Sequence, residues 1–243
     1  MRKIFRYECR RLLWNKFFIG LAVVLLLYGA LVLHAVTILG VSHTAPFSPW
    51  SFGSYLSRMA PFLWAGTLLF LTFFTSKKAR RAAVLTDASP ADPRRYGLAR
   101  CAAVLTGAGL LTLACLGEAA FFYGRYVHWG HWETLLAPSL TVLPPVLALA
   151  LGGGWFLGRL RPWLVVLWMA LPFLWMALPL PSALGIWNGS FFAEYPLTLG
   201  SLDPGFSLPG AVAAAQGAAL GVGGMAFWGS FWGNAGSRRR RGR

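Results

Sequence analysis

Six apolar blocks, parted by polar or charged segments, order this chain. They run over residues 17–39, 59–75, 98–124, 138–158, 162–182 and 210–234. The first, FFIGLAVVLLLYGALVLHAVTIL, has 23 residues without a charge; at ~1.5 Å per residue it reaches roughly 34 Å, enough to cross a bilayer with some tilt. The second, MAPFLWAGTLLFLTFFT, is shorter but uncharged, with Pro61 expected in its first turn, where proline is tolerated. The pattern predicts an all-α polytopic membrane protein with six transmembrane helices. Ahead of them, Arg2, Arg6 and Arg10 recur at i, i+4 and i+8, while Phe5, Cys9, Leu12 and Leu13 fall on another face. That spacing predicts an amphipathic helix over residues 1–16, lying in the headgroup layer with its basic side toward water; a plain orienting flank is the simpler alternative.

The segments between the blocks differ in kind. Residues 40–58 hold Pro46, Pro49 and Gly53, and SPWSFGSYLSR suits a short amphipathic helix at the outer interface. Residues 76–97 form a long charged loop in which 82–86 extend a short helix before Asp87, Ser89, Pro90, Asp92 and Pro93 break it. Blocks four and five are joined by a tight turn with Arg159 and Arg161. Residues 183–209 are apolar and interrupted by Gly and Pro, an expected outer loop with short membrane-dipping helices. Residues 235–243 are a basic tail. Within the blocks, Pro144-Pro145, Gly152-Gly153-Gly154 and Pro172 interrupt the apolar runs, and Gly217 with Gly221 has the small-xxx-small spacing that permits close helix packing.

Charge then gives orientation. Of 22 Lys and Arg residues, 20 lie before block one, between blocks two and three (counting Arg100 at the near end of block three), between four and five, and in the tail; two lie in the remaining loops. This alternation is the positive-inside pattern, and it places both termini and the 76–97 loop in the cytoplasm. The net charge of +15 is therefore read as topology and not as a nucleic-acid surface. Apolar residues make up 57% of the chain and charged residues 12%, against about 25% charged in soluble domains. Block one is longer than a signal h-region and no clear small-residue cleavage site ends it, so it is expected to stay as an anchor.

Chemistry is sparse. Three scattered cysteines, Cys9, Cys101 and Cys115, give neither a disulfide framework nor CxxC spacing. No Walker A, HExxH or GxSxG pattern occurs. His128, His131 and Glu133 lie within six positions and make a weak metal-site candidate; a polar outer loop is the blander reading. Glu118 is the one acid inside a block, which makes it a candidate intramembrane polar site, with solvation near the outer interface as the alternative. Trp168, Met169, Phe173, Trp175 and Met176 suit either an adaptable apolar lining or lipid-facing packing.

The layout resembles the ABC-2 type transporter permease family over the whole chain. MRKIFRYECRRLLWNKFFIG looks like that family's elbow helix leading into the first span. FLTFFTSKKARRAAVLTDASPADPRRYGLARCAAV looks like its second span, coupling loop and third span, and FFAEYPLTLGSL looks like its outer re-entrant helices. The resemblance implies a permease subunit of the cell membrane, bacterial inner membrane included, for ATP-driven transport, with export of a hydrophobic or amphipathic solute, peptide or drug. It implies two copies of a separate ATP-binding subunit, a second identical or homologous permease, ATP and Mg held by the ATPase and no cofactor on this chain, which is then no enzyme by itself. Coupling to the ATPase is expected at Arg80, Arg81, Val84, Leu85, Asp87, Pro90, Arg94 and Arg95. Spans two and five would flank the pathway, lined by Trp64, Phe70, Phe73, Trp168, Phe173 and Trp175. A polytopic membrane enzyme and a non-transporting accessory subunit are the competing classes.

Overall fold

A computed structural model describes residues 2–37, 44, 47–75 and 93–232. Among the described residues the regular structure is helical. The helices are α1 (Arg2–Leu13), α2 (Lys16–Val32, continued by a π-helical turn Leu33–Thr37), α3 (Pro49–Thr75), α4 (Pro93–Val127), α5 (Leu136–Leu160), α6 (Pro162–Ala177), α7 (Ser190–Thr198) and α8 (Gly210–Trp232). Short 3-10 turns at Trp132–Leu135 and Ser182–Leu184 lead into α5 and follow α6. Five helices among the described residues are long and apolar enough to cross a membrane. The charged loop from 76 to 92 and the tail from 233 lie outside the described residues.

Local chemistry sets the boundaries. Asn15 separates α1 from α2, its side-chain oxygen accepting the Phe17 N–H at 3.1 Å. Ser48 does the same for α3, its Oγ accepting the Ser51 N–H at 3.2 Å, and Pro49 follows as the first helical residue. The expected pairing of a short outer helix with a separate span over 59–75 is replaced here by one helix of 27 residues. Pro61 consequently lies inside that helix and not in its first turn. The early residues of α3 pack inside the protein: Trp50, Tyr55, Leu56, Ser51, Ser54 and Ser57 are buried. The fifth block is shorter than expected. α6 stops at Ala177 because Leu178 precedes Pro179 and Leu180 precedes Pro181, and a residue before proline is steered out of the helical region. Its 16 residues span roughly 24 Å, below the ~20 residues of an untilted crossing.

α5 is the hub, and its glycine triplet shows why. Successive helical residues point about 100° apart, so Gly152, Gly153 and Gly154 address three neighbours. A Cβ at Gly152 would meet the carbonyl of Gly223 in α8. One at Gly153 would lie 2.7 Å from the Trp168 ring of α6, and one at Gly154 would meet Leu68 and come 3.0 Å from Leu71 of α3. The absence of side chains lets three helices close on one turn. Gly217 and Gly221 play no such part among the described residues: none of these lies within 4 Å of a Cβ built on either.

The segment after α6 packs on the first half of α3. Trp50 Nε1 donates to Pro204 O at 2.8 Å and Ser57 Oγ to Ile186 O at 2.7 Å. Gly53 leaves space for the ring of Phe192, which is fully buried, and Trp50 meets Phe206 at 4.9 Å between ring centres.

Candidate functional site

The first polar constellation lies where the charged loop joins the helices. α1 is amphipathic as its spacing predicts: Arg2, Arg6 and Arg10 are exposed, and Leu12 is buried. Leu12 fits beside Gly107 of α4, where a Cβ would come within 2.6 Å of it. One turn earlier on the same face sits Glu8, fully buried. Its Oε1 accepts the Tyr96 hydroxyl at 2.9 Å and lies 3.6 Å from Arg100 Nε; its Oε2 lies 3.7 Å from Arg11 Nη1. Arg100 Nη2 donates to the Tyr96 hydroxyl at 3.2 Å, and its guanidinium stacks on the Tyr96 ring at 4.1 Å. It also reaches the Phe74 ring at 5.6 Å. Phe74 lies in the last turn of α3 and Tyr96 in the first turn of α4, so the α4 root of the 76–92 segment is bonded to a carboxylate of the N-terminal helix and the α3 root meets the same cluster through Arg100. The beginning of the chain is thereby tied to the loop by charge as well as by packing. Beside this junction Cys9 faces Thr106, and partial burial pushes its thiol up.

Sequence reasoning passed over Glu8. The available signal was position: an acid four residues before Leu12 and next to Cys9 falls on the apolar face of a helix whose polar face is basic. Of the residues expected to contact an ATPase, Arg80, Arg81, Val84, Leu85, Asp87 and Pro90 lie outside the described residues. Arg94 lies in the first turn of α4, and Arg95 beside it is exposed.

The expected pathway residues divide into three groups. Trp64 is fully buried; its ring meets Trp168 at 5.2 Å, Trp187 at 6.1 Å and Trp175 at 6.2 Å. Phe173 packs on Phe62 at 5.4 Å. Phe70 and Phe73 face α2, against Phe18 at 5.7 Å and Phe17 at 6.3 Å. The tryptophan cluster has a specific cause. Pro172 has no N–H, so the Trp168 carbonyl four residues earlier loses its helical donor; Trp64 Nε1 donates to that carbonyl at 2.8 Å. Trp64→Phe should leave the carbonyl unpaired and cost about 1–3 kcal/mol, read as a lower thermal midpoint of the detergent-purified protein. Adding Pro172→Ala restores a backbone donor and should recover part of the loss. A Trp64→Phe protein as stable as the parent would refute the role assigned to this bond.

The second constellation surrounds Glu118 of α4, facing Gly29 of α2 and Tyr55 of α3. The Glu118 carboxyl lies in hydrogen-bonding reach of Tyr55 and of the Ala30 backbone, while its Oε2 is buried without a partner. A Cβ on Gly29 would collide with that oxygen and lie 3.2 Å from the Tyr55 hydroxyl. The Tyr55 hydroxyl itself donates to Cys115 O at 3.1 Å. Glycine at 29 is thus what admits the carboxyl between α2 and α3.

His128 and His131 form no comparable site. His131 Nδ1 lies 3.4 Å from Glu133 Oε1, but both side chains are largely exposed. Among the described residues no three His, Cys, Asp or Glu side chains converge as metal ligands. Compared with protein-family models, curated proteins and solved structures, the chain matches none of them.

Proposed function

We propose that this chain is the membrane-spanning permease subunit of an ABC transporter, moving a hydrophobic or amphipathic cargo outward while a separate ATP-binding subunit hydrolyses ATP with Mg. The observation that carries this reading is the Glu8 junction. A cytoplasmic ATPase pressing on the 76–92 loop would act on both loop roots; the α4 root is bonded to Glu8 of the N-terminal helix through Tyr96 and Arg100, and the α3 root meets Arg100 through the Phe74 ring. Force on the loop is then shared by α1, α3 and α4 together instead of bending one helix end. The six apolar blocks with alternating charge support cytoplasmic placement of that junction. α6, with 16 residues, crosses by relying on the flanking Arg161 and local thinning of the bilayer. In this arrangement the protein works in the cell membrane as a pair of permeases with two ATPase copies.

Purification of the full chain from its native membrane should bring down an ATP-binding subunit in equal amount. After reconstitution, alanine substitution across Arg80–Arg95 should uncouple ATP hydrolysis from cargo movement. Hydrolysis and transport indifferent to those substitutions would end the coupling claim.

A further inference from the structure

We propose that the outward face of α1 is a binding surface for acidic phospholipid headgroups, independent of what the protein transports. The orientation of the helix comes first. Glu8 and Leu12, one turn apart, fix it against α4, through the Tyr96 hydroxyl at 2.9 Å and the recess at Gly107. Residues two positions before and after Glu8 lie about 160° round the helix from it; these are Arg6 and Arg10, both exposed. Lys3, Tyr7, Arg10 and Trp14 follow at i, i+4, i+7 and i+11, which sets them in one stripe beside Arg6. All four are exposed, Tyr7 at 67% and Trp14 at 84%. The stripe alternates cation and aromatic ring.

Among the described residues no acid answers these charges. Glu8 is the one acid of α1; it is turned to the body of the protein, beside Arg11 and Arg100. Depth then selects the partner. α2, continued by its π-helical turn, is long and apolar enough to cross a membrane, and only Trp14 and Asn15 part it from α1. Leu12 meets Gly107, and Phe18 stacks at 5.7 Å on Phe70, whose ring bounds the same glycine. Trp14 therefore stands level with the first turn of α2. A crossing helix meets the headgroups there, a depth that suits an indole. Arg10 lies one turn further out, at the level of the phosphates, whose oxygens a guanidinium grips with paired N–H donors. Basic residues clustered beside a span are drawn to a negative leaflet. A soluble acidic protein or a nucleic acid would leave Trp14 and Phe17, itself 74% exposed, in water. Bound lipid would hold α1 from outside while Glu8 holds it from inside.

The test uses the full-length protein in phosphatidylcholine bilayers holding a small, equal share of brominated phosphatidylglycerol or brominated phosphatidylcholine. Bromine quenches nearby tryptophan, and the difference between the parent and Trp14→Phe isolates Trp14 among the 12 tryptophans. Quenching of Trp14 should be stronger with the acidic lipid. A basic residue at an acidic surface is worth on the order of fivefold in partition, so Arg6→Gln with Arg10→Gln should lower that preference by about an order of magnitude. Molar salt, with a Debye length of about 3 Å, should lower it as well. Replacing Arg238, Arg239, Arg240 and Arg241 of the tail by glutamine should leave it unchanged. Equal quenching of the parent by the two lipids overturns the proposal, as does a preference that survives the double substitution. If Trp14 escapes both quenchers, the stripe faces water and a soluble acidic partner, and the proposal falls. Should the double variant not fold, salt decides: a preference unmoved by it overturns the proposal equally.

Discussion

Glu8→Ala is expected to release the N-terminal helix from the body of the protein. Glu8 is fully buried, and the Arg100 side chain it faces is only 14% exposed. Removing the carboxylate leaves a guanidinium in a low-dielectric site with the Tyr96 hydroxyl and two aromatic rings for company. Breaking a buried pair from one side typically costs about 3–5 kcal/mol, because the remaining charge keeps its desolvation penalty. α1 has few other anchors, Leu12 being its remaining fully packed apolar side chain, so the loss should appear as local opening and not as global unfolding. Trypsin cleavage after Arg10 and Arg11 reads that opening directly. At about 1.4 kcal/mol per factor of ten, the cleavage rate should rise by two to four orders of magnitude when reclosing is fast. Glu8→Gln keeps an oxygen for Tyr96 and should fall between the two. Replacing both partners, Glu8→Leu with Arg100→Met, should restore much of the protection, since no charge is left stranded. Equal cleavage rates in Glu8→Ala and the parent would show that the ion pairs, at 3.6 and 3.7 Å, do not hold the helix.

This junction also marks where sequence reading ran out. The apolar runs that became α2, α4, α5 and α8 were legible because each is long, nearly uncharged and flanked by arginine or by polar turns. The start of α3 was not. Ser51, Ser54 and Ser57 recur every third residue and read as a wet helical face, yet all three are buried. Ser57 binds the backbone at Ile186, and Ser51 binds Ser48. Polar spacing alone cannot distinguish water from a distant carbonyl 129 residues along the chain. Glu118 was visible as the acid inside a span, but its partners Gly29 and Tyr55 lie far away in sequence and carry no charge to betray them. The indole of Trp64 looked like lining; its role became clear only when the Pro172 defect was placed opposite it. In each case the local signal was real, and the deciding term was a tertiary contact.

Gly152→Ala and Gly223→Ala should each destabilise the protein severely, while Gly217→Ala and Gly221→Ala should not. Gly152 in α5 and Gly223 in α8 face each other backbone to backbone. A Cβ on Gly152 would collide with the Gly223 carbonyl oxygen and lie 2.8 Å from its carbon. From the other side, a Cβ on Gly223 would lie 2.5 Å from the Ala148 carbonyl carbon and 2.6 Å from its oxygen. Backbone atoms have no rotamer into which they can retreat, so the helices must part along their length. Overpacking a core with one methyl group ordinarily costs about 1–3 kcal/mol; here the upper end is expected. In an apolar solvent, helices associate through close backbone approach and dispersion, with little hydrophobic drive to compensate for a gap. Parting α5 from α8 would also loosen the turn on which Gly153 meets Trp168 and Gly154 meets Leu68. By contrast, Gly217 and Gly221 have open space where a Cβ would go. Alanine there gains about 0.5–1 kcal/mol of helix propensity, with no described residue in its way. Thermal midpoints of the four variants in one detergent make the comparison. The α5–α8 contact fails as described if Gly223→Ala melts with Gly221→Ala; opposite signs for two glycines two positions apart would establish it.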